Sequence, residues 1–290
     1  METGEDGFLS RATVAIIGLG LMGGSLAMAL RGHCARLLGI DLDPQVLDLA
    51  RQIQLADDLT LHPETLLPQA DVVILATPVG SILSLLDSLP AYHPGSAVVM
   101  DLGSTKVEIC SKMKTLPERF DPIGGHPMCG KENISLNNAE AGLFKDAVFA
   151  VSTLSRSSER AKQLALEIIQ VIQARPLWID PHQHDEWVAA TSHMPYLLAC
   201  ALALATPLQA APLAGSGYRS TARLSATPTG MMSDILATNS ENILRALHLL
   251  QNQIAAMETL LNQKNTKDLN ILLEQAGQHH QTIIQKGKPL

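Results

Sequence analysis

The chain has 290 residues, of which 46% are apolar and 17% charged, and it carries a formal charge of −7. The length fits two domains of ~100–200 residues each, and the apolar content excludes a disordered chain. With four Phe, three Tyr and two Trp, and Lys286 and Lys288 as the only basic cluster, it lacks both the stacking rings and the basic face that nucleic-acid binding needs, so no nucleic-acid partner is expected.

The N-terminus carries Glu2, Glu5 and Asp6 where a secretory leader would be basic. Cys34, Cys110, Cys129 and Cys200 are too far apart in sequence for a metal site or a disulfide scaffold. Both features point to the cytoplasm.

Residues 12–30 are uncharged and strongly apolar, and they include Gly20-x-x-x-Gly24. Taken alone, this run is a membrane-span candidate. Its internal order says otherwise. Thr13–Ile17 is a short β-branched run, which favours a buried strand. Gly18-Leu19-Gly20-Leu21-Met22-Gly23 matches G-x-G-x-x-G, and Gly24–Leu30 is helix-forming. A strand–turn–helix needs glycines there. Gly18 permits the tight turn, Gly20 lets a pyrophosphate approach, and Gly23 lets helix and strand pack closely. The helix N-terminus then offers N–H groups to the phosphates.

Arg36–Ile40 reads as the next strand, ending at Asp41, about 20 residues past the glycines, where a carboxylate binds a ribose 2′-hydroxyl. That favours NAD over NADP. In the alternative, Asp41 merely caps the helix that starts near Pro44.

Further strands are predicted at 71–76, 97–101, 148–151 and 177–179, with helices at 81–89 and 157–174. This alternation gives a doubly wound α/β domain with a mostly parallel sheet. Its ligand loops lie beyond the strand C-termini: 18–23, Asp41, Thr77-Pro78, 103–106 and 124–130. The last reads Gly124-Gly125-His126-Pro127-Met128-Cys129-Gly130. His126 there is either a surface histidine or the acceptor of an alcohol proton during hydride transfer.

Strand signals stop at Pro181. Helical spacing covers 185–206, 231–264 and 268–285. At 3.6 residues per turn, Asp185, Ser192 and Tyr196 share a face with His193 beside it. The helix is almost wholly apolar after Pro195, so burial on every side is expected, most simply in a homodimer. A second apolar run, 194–215, is broken by Pro195, Pro207, Gln209 and Pro212, so no membrane association is expected. Arg219 and Arg223, four apart, fit one helix face and a carboxylate partner, or are simply solvated. His182-Gln183-His184-Asp185 forms no known closed ligand set, so no metal is expected.

Gly124-Gly125-His126-Pro127, Ser192-His193-Met194-Pro195, Gly103-Ser104-Thr105-Lys106 and Gly217-Tyr218-Arg219-x-x-x-Arg223 occur in this order after the glycine fingerprint. The chain thereby resembles, over nearly its whole length, the prephenate and arogenate dehydrogenases of tyrosine biosynthesis. The resemblance implies a Rossmann domain over 1–180 and a helical dimerisation and substrate domain over 181–290. It implies NAD-dependent oxidative decarboxylation of prephenate or arogenate, to 4-hydroxyphenylpyruvate or tyrosine. His126 would be the catalytic histidine and Ser104 would orient it. Arg223 would pair with a substrate carboxylate, and Ser192 and His193 match the first helix of the second domain. Gly18, Gly20, Leu21, Met22, Gly23, Asp41, Thr77 and Pro78 would hold the cofactor. Some members carry a second histidine where this chain has Tyr196, which leaves the choice of substrate open. Neither a fused mutase before residue 12 nor a regulatory domain after 290 is expected.

Two other readings remain. A β-hydroxyacid-type dehydrogenase shares Gly-Leu-Gly-x-Met-Gly but needs a catalytic lysine in the second domain, and no lysine lies between Lys162 and Lys264. A non-catalytic NAD-binding sensor would keep the glycines without a reason to hold His126, Ser104 and Arg223.

Overall fold

The structure, a computed structural model, describes residues 7–131, 133 and 135–287. Glu2, Glu5, Asp6 and Lys288 lie outside the described residues. In chain order the elements are α1 (Phe8–Arg11), β1 (Thr13–Ile17), α2 (Leu21–Leu30), β2 (Arg36–Ile40), α3 (Pro44–Gln52), β3 (Asp58–Thr60), α4 (Pro63–Leu66), β4 (Val72–Leu75), α5 (Val79–Tyr92), β5 (Ala97–Asp101), α6 (Val107–Lys114), β6 (Phe120–Pro127), β7 (Val148–Thr153), α7 (Glu159–Val171) and β8 (Arg175–Trp178). They are followed by α8 (Pro181–Val188), α9 (Met194–Ala205), α10 (Ser216–Ala222), α11 (Thr229–Thr238), α12 (Ser240–Asn262) and α13 (Thr266–Lys286).

The eight strands form one sheet in the order β3-β2-β1-β4-β5-β6-β7-β8. Every pairing is parallel except β6 with β7. The first six follow the Rossmann order, with the switch point between β1 and β4. Side chains alternate across the sheet. Val14 and Ile16 enter one core with α2 and α7, while Ala15 and Ile17 enter the other with α5 and α6. The register sets Ile17 level with both Ile40 and Leu75. Gly18, Asp41 and Ala76 therefore emerge at one edge.

The uncharged N-terminal run is thus strand, turn and a 10-residue helix, too short to span a bilayer. Three predicted features differ. The loop expected at 124–130 is, through Pro127, the end of β6, because His126 pairs across to Ala150 of β7. Strand β3 and helix α6 escape periodicity because they are short. The helix expected over 231–264 breaks at Asn239, whose φ of −129° is not helical.

Residues 1–240 form one compact unit and 241–290 a second. In the first, α8 runs through a wide π-turn (Ala189–His193) into α9. This run, Pro181–Ala205, has the length and apolarity of a membrane span. It nevertheless buries His184, Asp185 and His193 within a polar network. Burial on every side is not what the single chain provides. Tyr196 and Ala199 are covered, but Leu204 of α9 and, in the 3-10 segment that follows it, Leu208 and Leu213 are each about nine-tenths exposed. Within this unit, α9 packs through the face that carries Tyr196, Leu197 and Cys200. In the second unit, α12 and α13 leave Leu249, Leu261, Leu273 and Ile283 exposed.

Candidate active site

The glycine loop at the switch point is built by steric exclusion. Gly18 sits at φ +92°, a left-handed conformation that side chains resist, and a Cβ there would lie 2.7 Å from Thr77 Cγ2. A Cβ on Gly23 would lie 1.8 Å from the Gly18 carbonyl oxygen, so the turn and α2 pack as closely as they do only without it. Gly20, in extended conformation, is the N-cap of α2, Leu21 is buried and Met22 half-buried.

Asp41 accepts hydrogen bonds from Leu19 N at 2.7 Å and from Asp43 N at 2.9 Å, tying β2 to the glycine loop. It does not cap α3. Asp43 does, accepting from Gln45 N at 2.8 Å. Among the described residues the buried Thr77 Oγ1 has no hydrogen-bond partner, and the exposed Pro78 occupies the N-cap position of α5 without a side-chain cap. A cradle closed to Cβ atoms, an acidic strand end and an orphaned hydroxyl fit a dinucleotide.

Two strands away, β5 and β6 position His126. Asp101 at the end of β5 is fully buried and paired with the equally buried Lys106 ammonium. Its carboxylate also accepts from Gly103 N at 2.8 Å and Gly125 N at 3.2 Å. One side chain thus joins the loop that carries Ser104 to the strand that carries His126. A Cβ on Gly125 would lie 2.7 Å from the Asp101 carbonyl oxygen. This glycine therefore lets β6 approach the end of β5 closely.

His126 is half-buried, and its Nδ1 lies 2.9 Å from His184 Nε2. His184 Nδ1 in turn lies 2.8 Å from Asp185 Oδ1. Asp185 is fully buried and accepts from Lys106 N and Val107 N at 2.7 and 2.8 Å, placing its charge at the start of α6. Burial, reinforced by His184, Lys106 and His193, holds His126 well below the ordinary imidazole value. His126 is therefore neutral at physiological pH and able to accept a proton.

The expected pairing of Ser104 with His126 is not formed. Among the described residues, His184 is the hydrogen-bonding partner of the His126 ring, and Ser104 is half-buried in the adjoining loop. The predicted shared face of Asp185 and Ser192 is lost as well. A π-turn holds more residues per turn than an α-helix, so the face slips. His193 is buried and Ser192 is exposed. Burial pushes His193 down to about 4, and Asn239 Nδ2 lies 3.2 Å from its Nδ1. The same amide donates to the Asp185 main-chain carbonyl at 2.7 Å.

Tyr196 lies in the apolar core with Met232 and Ile235. Arg223 is exposed where α10 passes into a 3-10 turn that packs on α9. Arg219, also exposed, donates to the Ala214 carbonyl at 3.2 Å.

Helix α11 docks on the sheet domain through Asp234, which accepts from Gly80 N at 3.0 Å in the first turn of α5. A second link joins the hydroxyls of Thr238 and Thr105 at 2.9 Å. Asp101, Lys106 and Asn239 are not marked as site residues by the sequence, where Lys106 stands only as the last residue of the Gly103–Lys106 motif and His184 as part of an incomplete metal-ligand set. Only adjacency in sequence, Asp101 and Lys106 flanking the Gly-Ser-Thr loop, hinted at the first two.

Residues 26–177 match the family model described as "Prephenate dehydrogenase, nucleotide-binding domain", and residues 180–275 match "Prephenate dehydrogenase, dimerization domain". The glycine loop at 18–23 precedes the first match and is assigned by its geometry. Prephenate dehydrogenase of Bacillus subtilis is 28% identical over 270 residues, 89% of this chain and 72% of that protein. The structure of Synechocystis arogenate dehydrogenase is similar with a TM-score of 0.81 and 26% identity, covering 93% of this chain and 99% of that one. Prephenate dehydrogenase from Aquifex aeolicus, crystallised with hydroxyphenyl propionate and NAD+, shares the fold with a TM-score of 0.87 at 23% identity, covering 95% of this chain and 99% of that one.

Proposed function

Because the chain belongs to the prephenate dehydrogenase family, we propose that it oxidatively decarboxylates prephenate or arogenate with NAD in tyrosine biosynthesis. The observation that carries this reading is His126, neutral and half-buried at the end of β6, on the same sheet edge as the dinucleotide cradle. The relatives' names and the NAD+ bound in the Aquifex aeolicus structure support the same reaction.

Gly18, Gly20, Leu21, Met22 and Gly23 would cradle the pyrophosphate. Asp41 would take the ribose hydroxyls, and Thr77 and Pro78 would line the site at β4. NAD, when bound, supplies the hydride acceptor. His126 draws the proton from the ring hydroxyl as hydride leaves the same carbon, and the ring carboxylate departs as CO2. The ring that remains is aromatic, which drives the step. The protein therefore contributes mainly orientation and one polarised hydroxyl. Ser104 would lie against the nicotinamide, Arg223 would pair with a substrate carboxylate, and Ser192, His193 and Tyr196 would belong to the substrate side.

The functional boundary is placed at 180/181: residues 1–180 bind the dinucleotide and 181–290 provide the substrate and dimer surfaces. The exposed Leu204, Leu208 and Leu213 form the apolar face that a second copy would cover. The cysteines Cys34, Cys110, Cys129 and Cys200 are free, in keeping with a reducing cytoplasm.

The test is incubation with prephenate and with arogenate, each with NAD and with NADP, read as absorbance of the reduced cofactor. Turnover of neither substrate would refute the reading, and turnover of a β-hydroxyacid in their place would move the chain to the other dehydrogenase class. Light scattering should give twice the 31.1 kDa chain mass. A particle of one chain mass would refute the dimer.

A further inference from the structure

Proton positions around Asp185 follow from which groups can donate and which can only accept. A carboxylate only accepts, so His184 Nδ1, 2.8 Å from Asp185 Oδ1, carries a hydrogen. In neutral His184, Nε2 is then the acceptor, and His126 Nδ1 at 2.9 Å must be the donor. His126 Nε2 is left bare. On the other side of Asp185, its main-chain carbonyl also only accepts, which fixes the atom of Asn239 at 2.7 Å as the amide nitrogen. That nitrogen also lies 3.2 Å from His193 Nδ1, which therefore accepts. The proton of the His193 ring is left on Nε2.

We propose that Asp185 is a positioning residue that sets opposite tautomers in two histidines. Its carboxylate, through His184, makes His126 Nε2 an acceptor, and its main-chain carbonyl, through Asn239, makes His193 Nε2 a donor. The assignment deepens the reading of His126 as the base and rests on it. Asp185 is suited to the task because it is itself immobilised. It is fully buried, and two main-chain N–H groups at the start of α6 hold its carboxylate. Burial keeps both His126 and His193 neutral. The site thereby gains one bare ring nitrogen and one ring N–H without gaining charge. A base held in the wrong tautomer loses up to ~10⁴-fold in kcat even when its geometry is intact, so the arrangement has consequences for rate.

The experiment is 15N spectroscopy of the histidine rings in the full-length chain with NAD near neutral pH. Resonances are assigned by their loss in His126→Asn, His184→Phe and His193→Gln. The expected result is a protonated Nδ1 and bare Nε2 on His126, and the reverse on His193. In His184→Phe, His126 should become a mixture of tautomers and kcat should fall at least ~10-fold with little change in KM, while His193 is unaffected. In Asn239→Leu, His193 should become mixed and His126 should not. A protonated Nε2 on His126, as would follow from a doubly protonated His184, overturns the proposal, as does a protonated Nδ1 on His193. The spectra of the unaltered chain decide this even where a variant fails to fold. If the tautomers are as assigned but neither substrate turns over, the functional reading fails and the tautomer assignment stands.

Discussion

The pair between Lys106 and Asp101 offers the sharpest energetic test of the site. Both side chains are fully buried, so their interaction is not weakened by solvent. Replacing Lys106 with Met keeps most of the stem volume and removes the ammonium. The Asp101 carboxylate would then be buried with only Gly103 N and Gly125 N as partners, at 2.8 and 3.2 Å. Breaking one side of a buried pair costs about 3–5 kcal/mol, because the other charge is left uncompensated. The two remaining N–H donors retain part of the compensation, which places the expected loss near the lower end, about 3 kcal/mol. At about 2–4 °C per kcal/mol for chains of this size, Tm should fall by about 6–12 °C. Circular dichroism during heating measures it, and the loss should be much the same at low and high salt, since buried pairs are poorly screened. Adding Asp101→Asn should recover a large part of the loss by removing the stranded charge. A functional readout accompanies the thermal one. Lys106 helps to hold the His126 pKa down, so without it the acid limb of kcat/KM should move to higher pH. A Lys106→Met variant whose Tm lies within about 2 °C of the parent, with an unmoved acid limb, would refute the reasoning.

His126→Asn should lower kcat by ~10²–10⁴, the usual contribution of a general base, and near-normal turnover by this variant would remove His126 from the mechanism. In the parent enzyme the base is lost only when pH falls through a depressed His126 pKa, so kcat/KM should hold on the acid side to well below the ordinary imidazole value of 6.5; a steep loss centred at 6.5 would contradict this. Arg223→Ala should raise KM far more than it lowers kcat, as loss of binding common to ground and transition states does. An unchanged KM would take Arg223 out of the site. His193 is neutral when folded and titrates near 4, against 6.5 in the unfolded chain. Its contribution to stability is therefore complete above pH 6.5 and drains away towards pH 4, at up to about 1.4 kcal/mol per pH unit. Chemical denaturation across that range should show His193→Gln flattening the slope, and parallel slopes for the two proteins would refute the shift.

The sequence by itself determined most of the sheet, all but β3 and β6, and the cofactor end of the site. Strands β1, β2 and β5 lie where short apolar runs place them, because a strand buried on both faces needs a largely apolar segment. Gly18 and Gly23 were legible for a related reason: a left-handed φ and a helix lying against a carbonyl exclude any Cβ, so the constraint is written in the residue type. The family resemblance likewise marked His126. The partners of His126 were not legible. His184 and Asp185 lie 58 and 59 residues beyond it, and Asn239 lies at the break between two helices expected as one. The π-turn over Ala189–His193 also defeated the 3.6-residue periodicity, burying His193 and exposing Ser192. Local pattern records what a residue does to its own backbone. Which buried donor meets which buried acceptor depends on how distant helices pack against the sheet, so only the tertiary structure decided that His184, and not Ser104, holds the ring of His126.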